Sequence, residues 1–202
     1  FPTRRSSDLG DPHFKAKELA DCDAYIDAAV AAVSDARPDF VVLLGDTLDT
    51  FSIVRIQPYR RACTFIERLA AITKVYVLIG NHDLVNSSVY LSDEHVFGPL
   101  RLMKNVVIVD KPIFVTEPSG GKSSAGSGAG SAGYRFVFTP YVPPGRLLEA
   151  LDSTLGSGKW RHATCVFAHQ EFKGCKMGMK ESTIGDEWDE SCPPRSEERR
   201  VG

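Results

Sequence analysis

The sequence predicts an α/β fold built on parallel strands, and three observations carry that reading. Phe40–Leu44 and Val75–Ile79 are short continuous apolar runs, as strands buried on both faces are. Between them lie segments whose apolar residues recur at three- and four-residue steps, the spacing of an amphipathic helix. The two kinds alternate along the chain, which is the order of βαβ units.

Taken in order, Leu19, Cys22, Ile26, Val30 and Val33 predict a first helix, which Pro38 stops. The strand Phe40–Leu44 follows. Tyr59, Cys63, Ile66 and Leu69 predict a second helix, and Val75–Ile79 a second buried strand. Val106–Val109, Ile113–Val115, Tyr134–Phe138 and Thr164–Phe167 read as further short strands, with a helix over Arg146–Leu155. Between two of these strands, 14 of the 16 residues of Pro118–Gly133 are Gly, Ser or Ala, so 118–133 is expected to be a flexible loop that contributes no core. Gly121-Lys122-Ser123 imitates the tail of a phosphate-binding P-loop, but Thr116 stands where that motif needs its first glycine. Phe1–Leu9 and Arg195–Gly202 lack either periodicity and resemble translated adaptor read-through. They are expected to be non-native or disordered termini around a domain spanning 10–194, with the chain cut at both ends.

Composition excludes several classes. Of 202 residues, 43% are hydrophobic and 25% charged, enough to build a core and too many to leave the chain disordered. A net charge of −2 fits neither a nucleic-acid-coating surface nor a polybasic membrane anchor. No apolar run approaches the ~20 residues of a membrane helix. Five cysteines, odd in number and never in a C-x-x-C pair, argue against a disulfide framework or a structural zinc site. Phe1–Leu9 is polar and Arg-bearing, unlike a signal peptide, and the expected location is cytoplasmic.

The chemistry gathers in short polar clusters. Gly10-Asp11-Pro12-His13 comes first. Gly45-Asp46-Thr47-Leu48-Asp49 follows the first buried strand, and Gly80-Asn81-His82-Asp83 follows the second. The aspartates and the asparagine stand 35 residues apart (46 − 11 and 81 − 46), about one helix plus one strand. In a parallel sheet that spacing brings all three to the carboxyl ends of neighbouring strands, where such sheets bind ligands. Ala168-His169-Gln170 ends a further strand. One aspartate after a strand is often only a helix cap. Three clusters at one edge, with a histidine added, form a donor set of Asp, His and Asn suited to Mn, Fe, Zn or Mg.

These residues resemble the calcineurin-like metallophosphoesterase family, whose pattern runs D-x-H, G-D-x-x-D, G-N-H-D/E, a single His and then G-H-x-H. The resemblance implies two packed mixed β-sheets flanked by helices, an α/β/β/α sandwich. It implies a phosphoesterase that hydrolyses phosphomonoester or phosphodiester bonds with hydroxide activated by two divalent metal ions. Asp11 and His13 would hold one metal, Asp46 would bridge, and Asn81 and His169 would hold the other. His82 would act on the leaving group, with Asp83 orienting it. The final G-H-x-H is absent and SSDL replaces the usual strand before D-x-H. Truncation accounts for both, and the 202-residue chain is expected to be weakly active or inactive. GDTLDTF lacks the arginine of the protein-phosphatase branch, while His169–Gly178 resembles members from phages and large viruses. A nucleic-acid or nucleotide phosphodiester is therefore one candidate substrate, though the acidic net charge lends it no support and the substrate stays open, and no membrane partner is expected. The competing reading is a scaffold that keeps the fold and has lost catalysis. His95 and His162 lie outside the motifs and are expected to be structural or surface histidines, Cys165 core, Asp49 support for the metal shell, and Glu181–Glu190 a solvated loop.

Overall fold

The structure, a computed structural model, describes residues 6–117, 133–174, 176–177, 180–181, 183, 185–188 and 192–193. Strands β1 (Ser6–Leu9), β2 (Phe40–Leu43), β3 (Lys74–Leu78) and β4 (Val106–Val109) pair in that order, all parallel. A second sheet joins β5 (Ile113–Glu117), β6 (Tyr134–Thr139) and β7 (Cys165–Ala168), with β5–β6 antiparallel and β6–β7 parallel. The helices are α1 (Leu19–Ala36), α2 (Ile56–Ala70) and α3 (Leu147–Leu155). A small hairpin pairs Lys176–Met177 with Lys180–Glu181.

Because side chains alternate across a strand, each apolar run serves two layers. Phe40, Val42, Tyr76, Leu78 and Val109 point toward the second sheet and meet Phe136, Phe138, Cys165 and Phe167. Val41, Leu43, Val75 and Val77 point the other way, onto Ile26 and Val33 of α1 and Phe65, Ile66 and Leu69 of α2. On the outer face of the second sheet, Val137 and Val166 pack with Leu147 and Leu151 of α3 and with Trp160. The layers are helix, sheet, sheet, helix, as the family resemblance implies. Helix α1 ends where Pro38 requires: Arg37 turns left-handed (φ 45°) and donates its N–H to the Val33 carbonyl at 2.9 Å.

One expectation is corrected. Ser6–Leu9, expected to lie in a non-native or disordered terminus in place of the strand before D-x-H, forms the edge strand β1, in register from Ser6 opposite Phe40 to Leu9 opposite Leu43. Leu44 N–H extends the ladder to the Leu9 carbonyl at 2.9 Å. The backbone makes a parallel ladder, so an edge strand needs few apolar side chains. Leu9 packs against the core. Residues 118–132 of the loop expected at 118–133, and the terminus expected at 195–202, lie outside the described residues.

Candidate metal centre

The loops leaving β1, β2, β3 and β7 converge at one edge of the sandwich. The first two continue to pair beyond their strands, with His13 N–H on the Asp46 carbonyl (3.0 Å) and Phe14 N–H on the Thr47 carbonyl (2.9 Å). Asp11, His13 and Asp46 take left-handed backbone angles (φ 42°, 44° and 47°). For a residue with a Cβ, each such angle costs about 1–2 kcal/mol. Two glycines let the loops close. A Cβ on Gly45 would lie 2.7 Å from His169 Nδ1 and 2.9 Å from the Gly80 backbone, and one on Gly80 would overlap Asp46 N and Oδ1.

Asp46 is the hub. It is 5% exposed, and its Oδ1 accepts the His82 N–H at 2.9 Å. Its Oδ2 lies 3.5 Å from His169 Nε2, 3.6 Å from His13 Nε2 and 3.9 Å from His82 Nε2. Two groups of potential ligands therefore share it, His13–Asp46–His82 and Asp11–Asp46–His169, with the ligand atoms of each within 4.8 Å of one another. Asn81 Oδ1 joins the second group, 2.9 Å from His169 Nε2. All five residues named as ligands are thus at the site. The geometry sets Asp11 beside His169 and His82 beside His13, whereas the family pattern pairs Asp11 with His13.

The donor chemistry fits divalent cations. His169 Nδ1–H donates to the Leu44 carbonyl at 2.7 Å, which leaves Nε2 to face Asp46 and Asn81. Carboxylate and carboxamide oxygens then meet an imidazole lone pair unless a proton or a cation lies between them. His13 Nδ1 is buried with no hydrogen-bond partner. Without a cation the proton takes that place. Burial alone would lower the His169 pKa, but the Asp46 and Asp11 carboxylates and the Leu44 carbonyl raise it to about 9. Burial pushes Asp46 up, and the His169 and His82 partners outweigh it and hold the carboxyl below its usual range.

Asp83 is 1% exposed, and burial raises its pKa to about 7 against the pull of two backbone donors. Those donors are Gly80 N–H (3.0 Å, on Oδ2) and Leu48 N–H (3.3 Å, on Oδ1), so Asp83 ties the second loop to the third. The His82 ring is oriented by other groups: Nδ1 sits 3.1 Å from the Asp49 carbonyl, and Phe51 stacks on the ring at 4.2 Å. Asp49 also brings Oδ1 to 3.5 Å from His13 Nδ1, in the supporting place expected of it.

Sequence reasoning missed three contributors. Phe51 gave no motif signal. Gln170 clamps the His169 loop to Val142, its Oε1 accepting the Val142 N–H (3.3 Å) and its Nε2 donating to the Val142 carbonyl (3.0 Å). Asp186 corrects the expectation of a solvated acidic loop. It is 3% exposed, accepts the Leu147 N–H at 3.0 Å and accepts a bond from Gln170 Nε2. The local signal was Gly185, where a Cβ would overlap the Glu171 carbonyl and hence bar any other residue from that approach. The remaining candidates fall as expected. The His95 side chain is enclosed, 3.6 Å from Asp110, and its Nδ1 accepts the Phe97 N–H at 3.2 Å. His162 is exposed, and Cys165 is buried between the sheets.

Residues 9–159 match the family described as calcineurin-like phosphoesterase. The chain is 36% identical over 185 residues to "Putative phosphoesterase 078R" of Invertebrate iridescent virus 3, covering 92% of this chain and 49% of that protein. It is 35% identical over 185 residues to "Putative phosphoesterase 244L" of Invertebrate iridescent virus 6, covering 92% of this chain and 60% of that protein. The chain therefore spans about half to three fifths of the length of these relatives.

Proposed function

The chain belongs to the calcineurin-like phosphoesterase family, and on that premise we propose that it hydrolyses phosphate esters at a two-metal centre. The observation that carries this reading is the single buried carboxylate of Asp46 shared by two ligand groups, because a pair of close divalent cations needs a bridging ligand of that kind. Asp46 would bridge, Asp11, Asn81 and His169 would hold one ion, and His13 with a water the other. When bound, two divalent cations (Mn, Fe, Zn or Mg) supply the Lewis acidity that activates water and draws charge from the phosphoryl oxygens. Asn81 contributes a neutral oxygen, which limits the negative charge facing an incoming phosphate. His82, held at Nδ1 by the Asp49 carbonyl, presents Nε2 at the site mouth and can donate a proton there to the departing alkoxide. The substrate is a phosphodiester of nucleic acid or nucleotides, in a reducing, cytoplasmic setting that suits the thiols of Cys22 and Cys63. A scaffold without catalysis would have no use for ligands so costly to bury.

The test measures metal content and turnover of bis(p-nitrophenyl) phosphate for the parent, Asp46→Asn and His95→Ala. Asp46→Asn should lose bound metal and at least ~100-fold in turnover, the scale for removing one preorganised charge-bearing group. His95→Ala should stay within about tenfold of the parent, since its enclosed ring touches Asp110 and Phe97 and no ligand. Equal losses in the two variants would show the site to be misassigned.

A further inference from the structure

A cleft of about 440 Å³ opens beside the metal centre, between the 14–18 loop and the start of α2. That volume lies in the range of small-molecule sites. Its floor is apolar, made by Phe14, Leu48 and Pro58. Its rim carries Lys15, Lys17 and Arg55.

Three features give the cleft a positive character in a chain whose net charge is −2. Lys17 and Arg55 are exposed, and among the described residues neither has an ion-pair partner. The acids in the wall are Glu18 and Asp49, and Asp49 is already shared between Lys15 (4.0 Å) and His13 (3.5 Å). The N-terminus of the 15-residue helix α2 borders the cleft with no side-chain cap and no acid in its first turn. The positive end of its dipole is therefore not neutralised locally.

The cleft is continuous with the reaction site through one residue. Asp49 lines the cleft, its Oδ1 lies 3.5 Å from His13 Nδ1, and its backbone carbonyl lies 3.1 Å from Nδ1 of the His82 ring. A group seated there is thus a near neighbour of a phosphate held at Asp46. A cationic rim over an apolar floor fits a phosphate carrying a flat or apolar substituent, which a nucleotide unit is.

We propose that this cleft is a subsite for the nucleotide that neighbours the scissile phosphate. Its phosphate lies against Lys17, Arg55 and the start of α2, and its base covers Phe14, Leu48 and Pro58. This rests on the phosphoesterase reading and makes it specific: the substrate is a nucleic-acid strand, since a phosphomonoester or a phosphoprotein side chain would leave the cleft empty.

The experiment compares the 202-residue chain with the double variant Lys17→Ala/Arg55→Ala and with a charge-matched control, Lys104→Ala/Lys111→Ala. Fluorescence anisotropy with a labelled short oligothymidylate, in EDTA, reads binding apart from turnover. The cleft variant should weaken binding about tenfold and flatten the salt dependence by roughly 0.7 in slope, the share of the one single-strand phosphate no longer neutralised. The control should match the parent. With Mn added, the ratio of kcat/KM for oligothymidylate to that for bis(p-nitrophenyl) phosphate should fall about tenfold in the cleft variant, because only the oligomer reaches the subsite. An abasic oligomer of equal length should bind the parent more weakly than oligothymidylate. Unchanged binding and slope in the cleft variant would overturn the proposal, as would equal binding of the abasic oligomer for the base-covering half. A parent that binds the oligomer through the cleft and yet takes up no Mn in calorimetry would instead refute the two-metal phosphoesterase reading, so the two failures are separable.

Discussion

The interior of the sandwich and the loop edge above it are built by opposite rules. Between the sheets, Phe40, Tyr76, Phe136, Phe138 and Phe167 form one aromatic cluster, with Phe138 stacked at 4.0 Å on Tyr76 and at 5.1 Å on Phe167. Every contact there favours the folded state with or without an ion. At the edge the chain buries Asp46 and Asp83, turns three residues with side chains left-handed and crowds carboxylate, carboxamide and imidazole ligand atoms around one point. The edge is stable because the interior over-determines it, and its unfavourable arrangement is what a cation would relieve. Most of the stability therefore comes from one region and the chemistry from the other, and truncating the interior should leave the metal affinity of the folded molecules alone.

The largest test of that separation is Phe138→Ala. Phe138 is fully buried, and truncating it should cost about 3–5 kcal/mol in urea unfolding. The metal affinity of the remaining folded molecules should not move, and a parallel drop in affinity would break the contrast. Gly80→Ala works from the other side. Its Cβ would displace Asp46, so calorimetric Mn affinity should drop about 10–100-fold, the scale of disturbing a ligand's support. Gly98→Ala, where nothing lies within 4 Å, should bind Mn like the parent. A Gly80→Ala protein with parental affinity would mean that the close approach of the two loops is not needed.

The smallest effect is a pH dependence. In the metal-free protein the His169 pKa is about 9, above its reference value of 6.5. Its stabilisation is complete below pH 6.5 and is lost as pH rises through about 9. Asp83, raised to about 7 from 3.8, acts in the same direction over a lower window, because the unfolded chain releases that proton first. Stability should thus fall by on the order of 1 kcal/mol between pH 7 and 8. Saturating Mn, which requires neutral His169, should remove the His169 share of the decline and leave that of Asp83. A metal-free protein whose melting temperature is flat over that interval would show that the edge holds no such proton.

Sequence reading served the two regions unequally. The strands β2, β3, β4, β6 and β7 were legible because burial on both faces leaves continuous apolar runs. Strand β1 was not, since Ser6-Ser7-Asp8 is held by backbone pairing that side chains do not announce. At the edge, the 35-residue spacing of Asp11, Asp46 and Asn81 correctly brought three clusters to adjacent strand ends. What it could not show was who touches whom. Asp83 bonds to backbone N–H groups and leaves the His82 ring to Asp49 and Phe51. Asp186 is buried in a stretch whose composition speaks for water, because its partners Gln170 and Leu147 are 16 and 39 residues away.

The bond from His169 to the Leu44 carbonyl joins residues 125 positions apart and crosses from the second sheet to the first. The two ligand groups consequently become available at different moments of synthesis. His13, Asp46 and His82 leave the ribosome with β1, β2 and β3, at least 87 residues (169 − 82) ahead of His169, which can join Asp11 and Asp46 only after β7 has emerged and docked. A nascent chain could thus hold one cation early and the second only once the sandwich has closed. Occupancy of the second position would then report that folding is complete.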